Sequence, residues 1–355
     1  QIDHTQALAV AVAVLIVTCP CALSLATPAA MLASAGALAR RGVLVRRLQA
    51  FEALAGIDAV VFDKTGTLTH DQLTLHKVTL REGASLSEAW ALAGALAEGS
   101  LHPVSRMLAR EARTQQPDLA PLAGHTERAG QGMQALRPDG SWVRLGSAAH
   151  CGLAPSVAAD DRPAVHLSDA NGWIASFVLQ ESLRDDAAAA VAALHALGVR
   201  TWLLSGDREA AARQVAQVVG VEHVIAGASP EQKLAEIAAL QARGLKVAMV
   251  GDGLNDGPVL ARADTSFALG QATPLAQSQS DFIVQSGHVM DVVNTLAQAR
   301  ATLRTVRQNL AWAAAYNVVS VPLALAGYMP PWLAGLGMAA SSLLVIGNAL
   351  RLARH

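Results

Sequence analysis

The sequence predicts an α/β fold carried on transmembrane helices, and three observations predict it. Charge-free apolar runs of membrane-spanning length stand near both ends of the chain. Between them, short apolar strands that end in polar, glycine-containing turns alternate with alanine-rich helical stretches. The first strand-turn is separated from the second by a long stretch, residues 71–179, that reads as an inserted domain.

The apolar runs come first. Ala7–Ala26, Leu310–Gly327 and Trp332–Leu350 contain no Asp, Glu, Lys or Arg, and each approaches the roughly 20 residues that cross a hydrocarbon core. Tyr328-Met329-Pro330-Pro331-Trp332 reads as a tight turn with interfacial aromatic anchors between the last two. Arg40, Arg41, Arg46 and Arg47 follow the first run. Arg300, Arg304 and Arg307 precede the second, and Arg351 and Arg354 follow the third. All these arginines agree on one orientation, with the middle of the chain in the cytoplasm and the Tyr328–Trp332 turn outside. The expected location is therefore a bacterial cytoplasmic membrane, crossed several times, with lipid as a partner.

Composition agrees. Lys and Arg number 27 against 28 Asp and Glu, so no basic excess points to nucleic acid. Apolar residues make up 52% and charged residues 15%, with a mean hydropathy of +0.32, which excludes a disordered chain. Three cysteines, two of them one residue apart, exclude a disulfide scaffold. The chain opens on Gln1 and enters an apolar run almost at once, without a basic leader. It is expected to be the C-terminal part of a longer membrane protein.

In the middle, Ala59–Phe62, Thr201–Leu204 and Val247–Val250 read as strands, and Asp185–Leu197 and Pro230–Ala242 as helices. The strands run into Asp63-Lys64-Thr65-Gly66, Ser205-Gly206-Asp207 and Gly251-Asp252-Gly253. Groups at the carboxyl ends of parallel strands are where open α/β sheets bind ligands. Asp63 is a candidate nucleophile toward a phosphoryl group, forming an aspartyl-phosphate. Such a reaction needs Mg²⁺ and groups that offset phosphate charge. Ser205 offers a hydroxyl and Lys233 a cation, while Asp252 and Asp256 offer hard oxygens suited to Mg²⁺. No Walker-A glycine loop is present.

Cys19-Pro20-Cys21 interrupts the first apolar run. Residues two apart on an ideal helix point to nearly opposite sides, but Pro20 removes a backbone hydrogen bond and is expected to unwind the helix there. Both sulfurs then face one point, and broken backbone is tolerated in lipid where it lines a site. Two thiolates select a soft ion such as Cu⁺, or Zn²⁺ with harder partners. Tyr316 and Asn317 in the second run, and Met338 and Ser342 in the third, are polar or soft groups at membrane depth. A thioether without any carboxylate favours the soft monovalent ion.

DKTGTLT at 63–69 followed by GDGLND at 251–256 resembles the P-type ATPases, and the resemblance covers essentially the whole chain. It implies a haloacid-dehalogenase-like phosphorylation domain with an inserted α+β nucleotide-binding domain. It also implies that ATP phosphorylates Asp63. Lys64, Ser205 and Lys233 would steady the phosphate, and Asp252, Asp63 and the Thr65 carbonyl would hold Mg²⁺. Asn255 and Asp256 would complete the site. Ser100-Leu101-His102-Pro103 and Gly130-Gln131-Gly132 resemble motifs of the heavy-metal-transporting branch, which implies ATP contacts for Glu98, His102, Gly130, Gly132 and Gly146. Cys-Pro-Cys, Tyr-Asn and Met-x-x-Ser-Ser together resemble the Cu⁺-exporting branch, and CPCALSLATPAA its sub-branch for haem–copper oxidase assembly. A copper chaperone is the implied partner. The domains expected are 1–45 (first transmembrane helix and its extension), 46–70 with 180–299 (phosphorylation), 71–179 (nucleotide binding) and 300–355 (last two transmembrane helices).

The sequence departs from the family pattern in places. It contains no Thr-Gly-Glu loop, and Ser205, Gly257 and Glu181 stand where Thr, Ala and Asp are usual. The rival readings are a Zn²⁺/Cd²⁺ exporter and a truncated membrane copper-binding protein. A plain dehalogenase-type phosphatase is disfavoured, because DKTGT lacks the second Asp of such enzymes.

Overall fold

The computed structural model describes residues 4–153, 162–252, 257–270 and 274–354. They divide into two compact units, one of residues 1–68 with 184–355 and one of Thr69–Leu183.

The first unit opens with α1 (His4–Val17), α2 (Cys21–Arg40), β1 (Val43–Val45), α3 (Ala50–Ala55) and β2 (Ala59–Asp63). The inserted unit contains β3 (Thr69–Leu80), α4 (Leu86–Ala97), α5 (Pro103–Gln115), β4 (Ala123–Arg128), β5 (Gly132–Leu136), β6 (Trp142–Gly146), β7 (Ala164–Asp169) and β8 (Gly172–Leu183). The chain then returns to the first unit. It forms α6 (Ala187–Ala196), β9 (Arg200–Leu204), α7 (Glu209–Val219), β10 (His223–Ile225), α8 (Pro230–Ala242), β11 (Val247–Gly251) and α9 (Gly257–Arg262). It ends with β12 (Thr265–Leu269), α10 (Pro274–Gln279), β13 (Phe282–Val284), α11 (Met290–Leu325) and α12 (Pro331–Leu350).

The sheet of the first unit runs β1-β13-β12-β11-β2-β9-β10. All its pairs are parallel except β1 with β13. β2 lies at its centre with all five residues, AVVFD, buried, as expected of a strand covered on both faces. Phe62 pairs with Val250 and Asp63 with Leu204. The turns that follow β2, β9 and β11 therefore open at the same edge of the sheet.

The inserted sheet is antiparallel throughout, in the order β3-β8-β7-β6-β5-β4. Its core sits under α4 and α5 and includes Trp90, Leu96, Leu108, Leu145 and Phe177. The pairing of β3 with β8 extends to Thr69 opposite Leu183. The inserted unit therefore begins and ends a few residues outside the 71–179 expected from sequence.

The helices pack through small residues. Ala13, Val17, Ala324 and Ala334 form one layer. Ala22, Ala26, Ala313 and Val345 form a second, and Ala30, Val306, Ala349 and Leu352 a third. Alanine at these positions lets the backbones approach closely. Large apolar side chains point outward instead, among them Leu15 (72% exposed), Val318 (72%) and Leu343 (70%).

The Ala7–Ala26 run is not one helix. α1 stops at Val17 and α2 starts at Cys21, with Pro20 at its N-cap. The helical pair Thr5–Arg40 and the helix Pro331–Ala353 are long and apolar enough to cross a membrane. The Leu310–Gly327 run forms the C-terminal half of α11, a 36-residue helix that starts well before it at Met290.

Candidate functional site

Asp63 ends β2 and is 7% exposed. The Lys233 ammonium donates to its Oδ1 at 2.6 Å. Lys233 reaches it from the first turns of α8, whose start is set by sequence. Pro230 occupies the first helical position, and Ser229 with Gln232 forms a capping box. A buried carboxylate beside a buried ammonium is costly to break apart, because removing one partner leaves an uncompensated charge.

Ser205 follows β9, and its hydroxyl donates to Asp207 Oδ2 at 3.2 Å, while the Asp207 N–H donates back to Ser205 Oγ at 3.1 Å. Lys64 is buried and ion-paired with Asp207. Asp207 therefore links two of the expected phosphate-steadying residues. The sequence reading passed over it, although it stood in the same polar turn as Ser205. Asp252 follows β11 at the same sheet edge. Asn255 and Asp256 lie outside the described residues.

Thr67 is a second group that sequence reasoning missed. It is fully buried, and its Oγ1 has no hydrogen-bond partner among the described residues. A buried orphan hydroxyl is unfavourable on its own. It stands in the turn that follows Asp63, at the edge where a polar ligand atom could satisfy it. The donor set at this edge is all hard oxygen: the Asp63 and Asp252 carboxylates and the loop carbonyls. The chemistry of that donor set fits Mg²⁺, which Asp63, Asp252 and the carbonyl of Thr65 would hold.

In the inserted unit, His102, Gly130, Gly132 and Gly146 line one cleft of about 220 Å³, with Met133 and Val165 among its apolar walls. That is below the roughly 300–1,000 Å³ of sites that enclose a whole ligand. His102 caps α5, its Nδ1 accepting from the Val104 N–H at 3.3 Å. Its own N–H donates to Ser100 Oγ at 3.1 Å, and Ser100 donates to Glu127 Oε1 at 2.9 Å.

Two placements bear on the expected nucleotide contacts. Glu98 does not line the cleft but pairs with Arg113. It caps the C-terminal end of α4, and the acidic residue the fold brings to the cleft is Glu127. The second concerns the glycines. Gly132 and Gly146 face each other across β5 and β6. A Cβ on Gly132 would stand 2.3 Å from the Leu145 carbonyl oxygen, and one on Gly146 2.3 Å from that of Gln131. The missing side chains permit the close approach of two strands.

Between the helices, Cys19, Pro20, Tyr316, Asn317, Met338 and Ser341 surround a cavity of about 10 Å³, close to the space of one water-sized sphere. Four of the six residues expected from sequence are brought together. Ser342 is not among the lining residues, and Ser341 takes its place, accepting from Trp312 Nε1 at 3.2 Å. Positions three and four apart from Met338 share one helix face, so packing against α11 decides between them. Gly337 lies beside it, where a Cβ would meet the Tyr316 hydroxyl at 2.8 Å and displace that side chain. Cys21 lies outside the lining, bonded to Cys19 with its Cα 5.5 Å away. The helix break brings the two sulfurs together. They stand as a disulfide, however, and thiolate ligands require the reduced pair.

The haloacid dehalogenase-like hydrolase family matches residues 57–264. The chain belongs to that family. It is 39% identical to a cation-transporting P-type ATPase B of Mycobacterium bovis over 98% of its own length and 48% of that protein. It is 39% identical to a copper-exporting P-type ATPase of Mycobacterium leprae over 96% of its length and 44% of that protein. A crystal structure of a zinc-transporting PIB-type ATPase superposes with a TM-score of 0.84 at 33% identity, covering 95% of this chain and 57% of that one. The chain thus spans about half the length of the curated relatives it matches.

Proposed function

We propose that the chain is the catalytic and C-terminal membrane part of a P-type ATPase that exports Cu⁺ through an aspartyl-phosphate on Asp63. The observation that carries this reading is the buried Asp63–Lys233 pair at the carboxyl edge of a parallel sheet, beside Asp252 and the orphan Thr67 hydroxyl. In this reading residues 46–68 and 184–299 form the phosphorylation domain, and 69–183 the nucleotide-binding domain. Residues 1–45 and 300–355 cross the cytoplasmic membrane.

An Asp63 carboxylate oxygen attacks the γ-phosphorus of ATP. The new O–P bond forms as the bond to the β-phosphate oxygen breaks, and ADP leaves. Lys233 holds Oδ1 and so orients the carboxylate for that attack. Ser205 and Lys64, both tied to Asp207, stand ready to donate to the phosphoryl oxygens. Mg²⁺, held by Asp63, the Thr65 carbonyl and Asp252, would neutralise charge on the phosphates when bound. His102 and the glycine-lined cleft take the nucleoside end.

The ion reading rests on the donors around the small cavity. Cys19 and Met338 are soft, and no carboxylate lines it, which suits Cu⁺ over a hard divalent ion. A copper chaperone is the partner class this cargo implies. The bundle's exposed leucines and valines suit lipid as its surroundings. A Zn²⁺ exporter remains the second reading, since a zinc-transporting relative shares the fold. The test uses the complete protein under reducing conditions, with radiolabelled ATP and an acid quench. Acid-stable label that Cu⁺ stimulates and that Asp63→Asn lacks is the expected result. Stimulation by Zn²⁺ alone would overturn the copper reading.

A further inference from the structure

The chain returns from the inserted unit at Arg184, and this residue binds the loop after Asp63 along its length. Its backbone N–H donates to the Leu68 carbonyl at 2.9 Å. Its Nε donates to the Thr67 carbonyl at 2.8 Å, and its Nη2 to the Gly66 carbonyl at 2.7 Å. Three consecutive carbonyls are thus gathered on one residue. Gly66 permits this by its positive φ of 70°, which a side chain would resist. The remaining arm, Nη1, donates to the Gly287 carbonyl at 2.7 Å. Gly287 precedes the start of α11, the helix that carries Tyr316 and Asn317 to the ion cavity. Cβ atoms at Gly270 or Gly287 would stand 3.3 Å from the guanidinium, so the planar group sits in a fitted slot. Two residues on, Asp186 Oδ2 accepts from the Met290 N–H at 2.8 Å, the first residue of α11.

From this geometry we propose that Arg184 is a positioning residue for Asp63. It holds the carbonyls of Gly66, Thr67 and Leu68 so that the loop keeps Asp63 and the Thr67 hydroxyl in reacting geometry. Through Gly287 it fastens the same loop to the root of α11. Only a planar fork with several fixed donors can reach carbonyls on two loops at once. A lysine ammonium at the same place serves part of the set, and a methionine none. This inference rests on the aspartyl-phosphate reading above.

The test uses the complete reduced protein as parent, Arg184→Lys and Arg184→Met. Each is assayed for the rate of acid-stable phosphoenzyme formation across ATP concentrations, and for thermal unfolding. For Arg184→Met the rate at saturating ATP is expected to fall about 100-fold, the scale of a misplaced reacting group, with the ATP concentration for half-rate nearly unchanged. Arg184→Lys is expected to recover about ten-fold of that loss, on the same scale. A parent-like rate in Arg184→Met overturns the proposal. So does a loss that tracks the unfolded fraction, lowers nucleotide binding equally and is not relieved by Lys. Where Arg184→Met does not accumulate, Arg184→Lys decides, since a parent-like rate or a shifted half-rate concentration counts against positioning. Failure of the underlying reading would show in the parent itself, which would carry no label on Asp63, and would remove the inference with it.

Discussion

The site around Asp63 and the cavity beside Cys19 are both built where regular structure stops, yet they are built in opposite ways. At Asp63 a strand ends at a shared sheet edge, and charges are gathered: Lys233, Lys64, Asp207 and Asp252. At Cys19 a helix is broken by Pro20, and among the described residues lining the cavity none carries a charge. In the reading proposed above, the first site would offer hard oxygens to Mg²⁺ and ammonium groups to a phosphate, and the second sulfur to a soft ion. Each follows from its surroundings. A parallel sheet offers backbone and charge partners to stabilise an anion, whereas a bundle of alanine layers offers nothing to balance a buried carboxylate.

Breaking either site should separate the two functions, and the largest effect is expected at the nucleophile. Asp63→Asn should abolish acid-stable phosphoenzyme from both labelled ATP and labelled inorganic phosphate. Label retained at the parent's level would refute the role of Asp63. Replacing Cys19 and Cys21 together by Ser should remove Cu⁺-stimulated phosphorylation from ATP. Phosphorylation by inorganic phosphate should persist, because the sheet edge is untouched. Met338→Leu should weaken the copper response by about ten-fold, the loss of one soft donor. A full response in the double variant would take the ion away from this cavity.

The inserted unit gives smaller effects. Gly132→Ala should destabilise it by about 2–3 kcal/mol, since the new methyl meets backbone rather than a yielding side chain. A denaturant melt followed at Trp173 would detect this. His102→Gln should raise the nucleotide dissociation constant by about ten-fold, while phosphorylation by inorganic phosphate stays near the parent's rate. Equal loss in both assays would make His102 a structural cap of α5.

The smallest expected effect is a pH dependence. His166 is buried, with Nδ1 2.7 Å from Ser176 Oγ, and burial lowers its pKa from the ordinary value of 6.5. The unfolded chain then binds a proton more readily than the folded one. Stability is fully present above 6.5 and falls as pH drops from there toward the lowered folded value. Amide exchange in β7 and β8 should speed up over that window, and His166→Gln should flatten the response. A slope of opposite sign would mean that the imidazole is charged in the fold.

Much of this was legible in the residues alone. The strands at 59–62, 201–204 and 247–250 were readable because buried parallel strands are short apolar runs closed by polar turns, and that signal is local. Asp63, the break at Pro20 and the long insertion were readable for the same reason. What tertiary structure decided were the choices between neighbours. Ser341 rather than Ser342 meets the cavity because α12 packs against α11 at one rotation. Glu127 rather than Glu98 lines the glycine cleft of the inserted unit because α4 carries Glu98 toward Arg113. Asp207 joins Ser205, its near neighbour in sequence, to Lys64, and Arg184 gathers the loop after Asp63; the Lys64–Asp207 and Arg184–Gly66 contacts link residues more than a hundred positions apart. Spacing along a chain determines which residues share an element. Only the packing of elements determines which of two adjacent side chains a site receives.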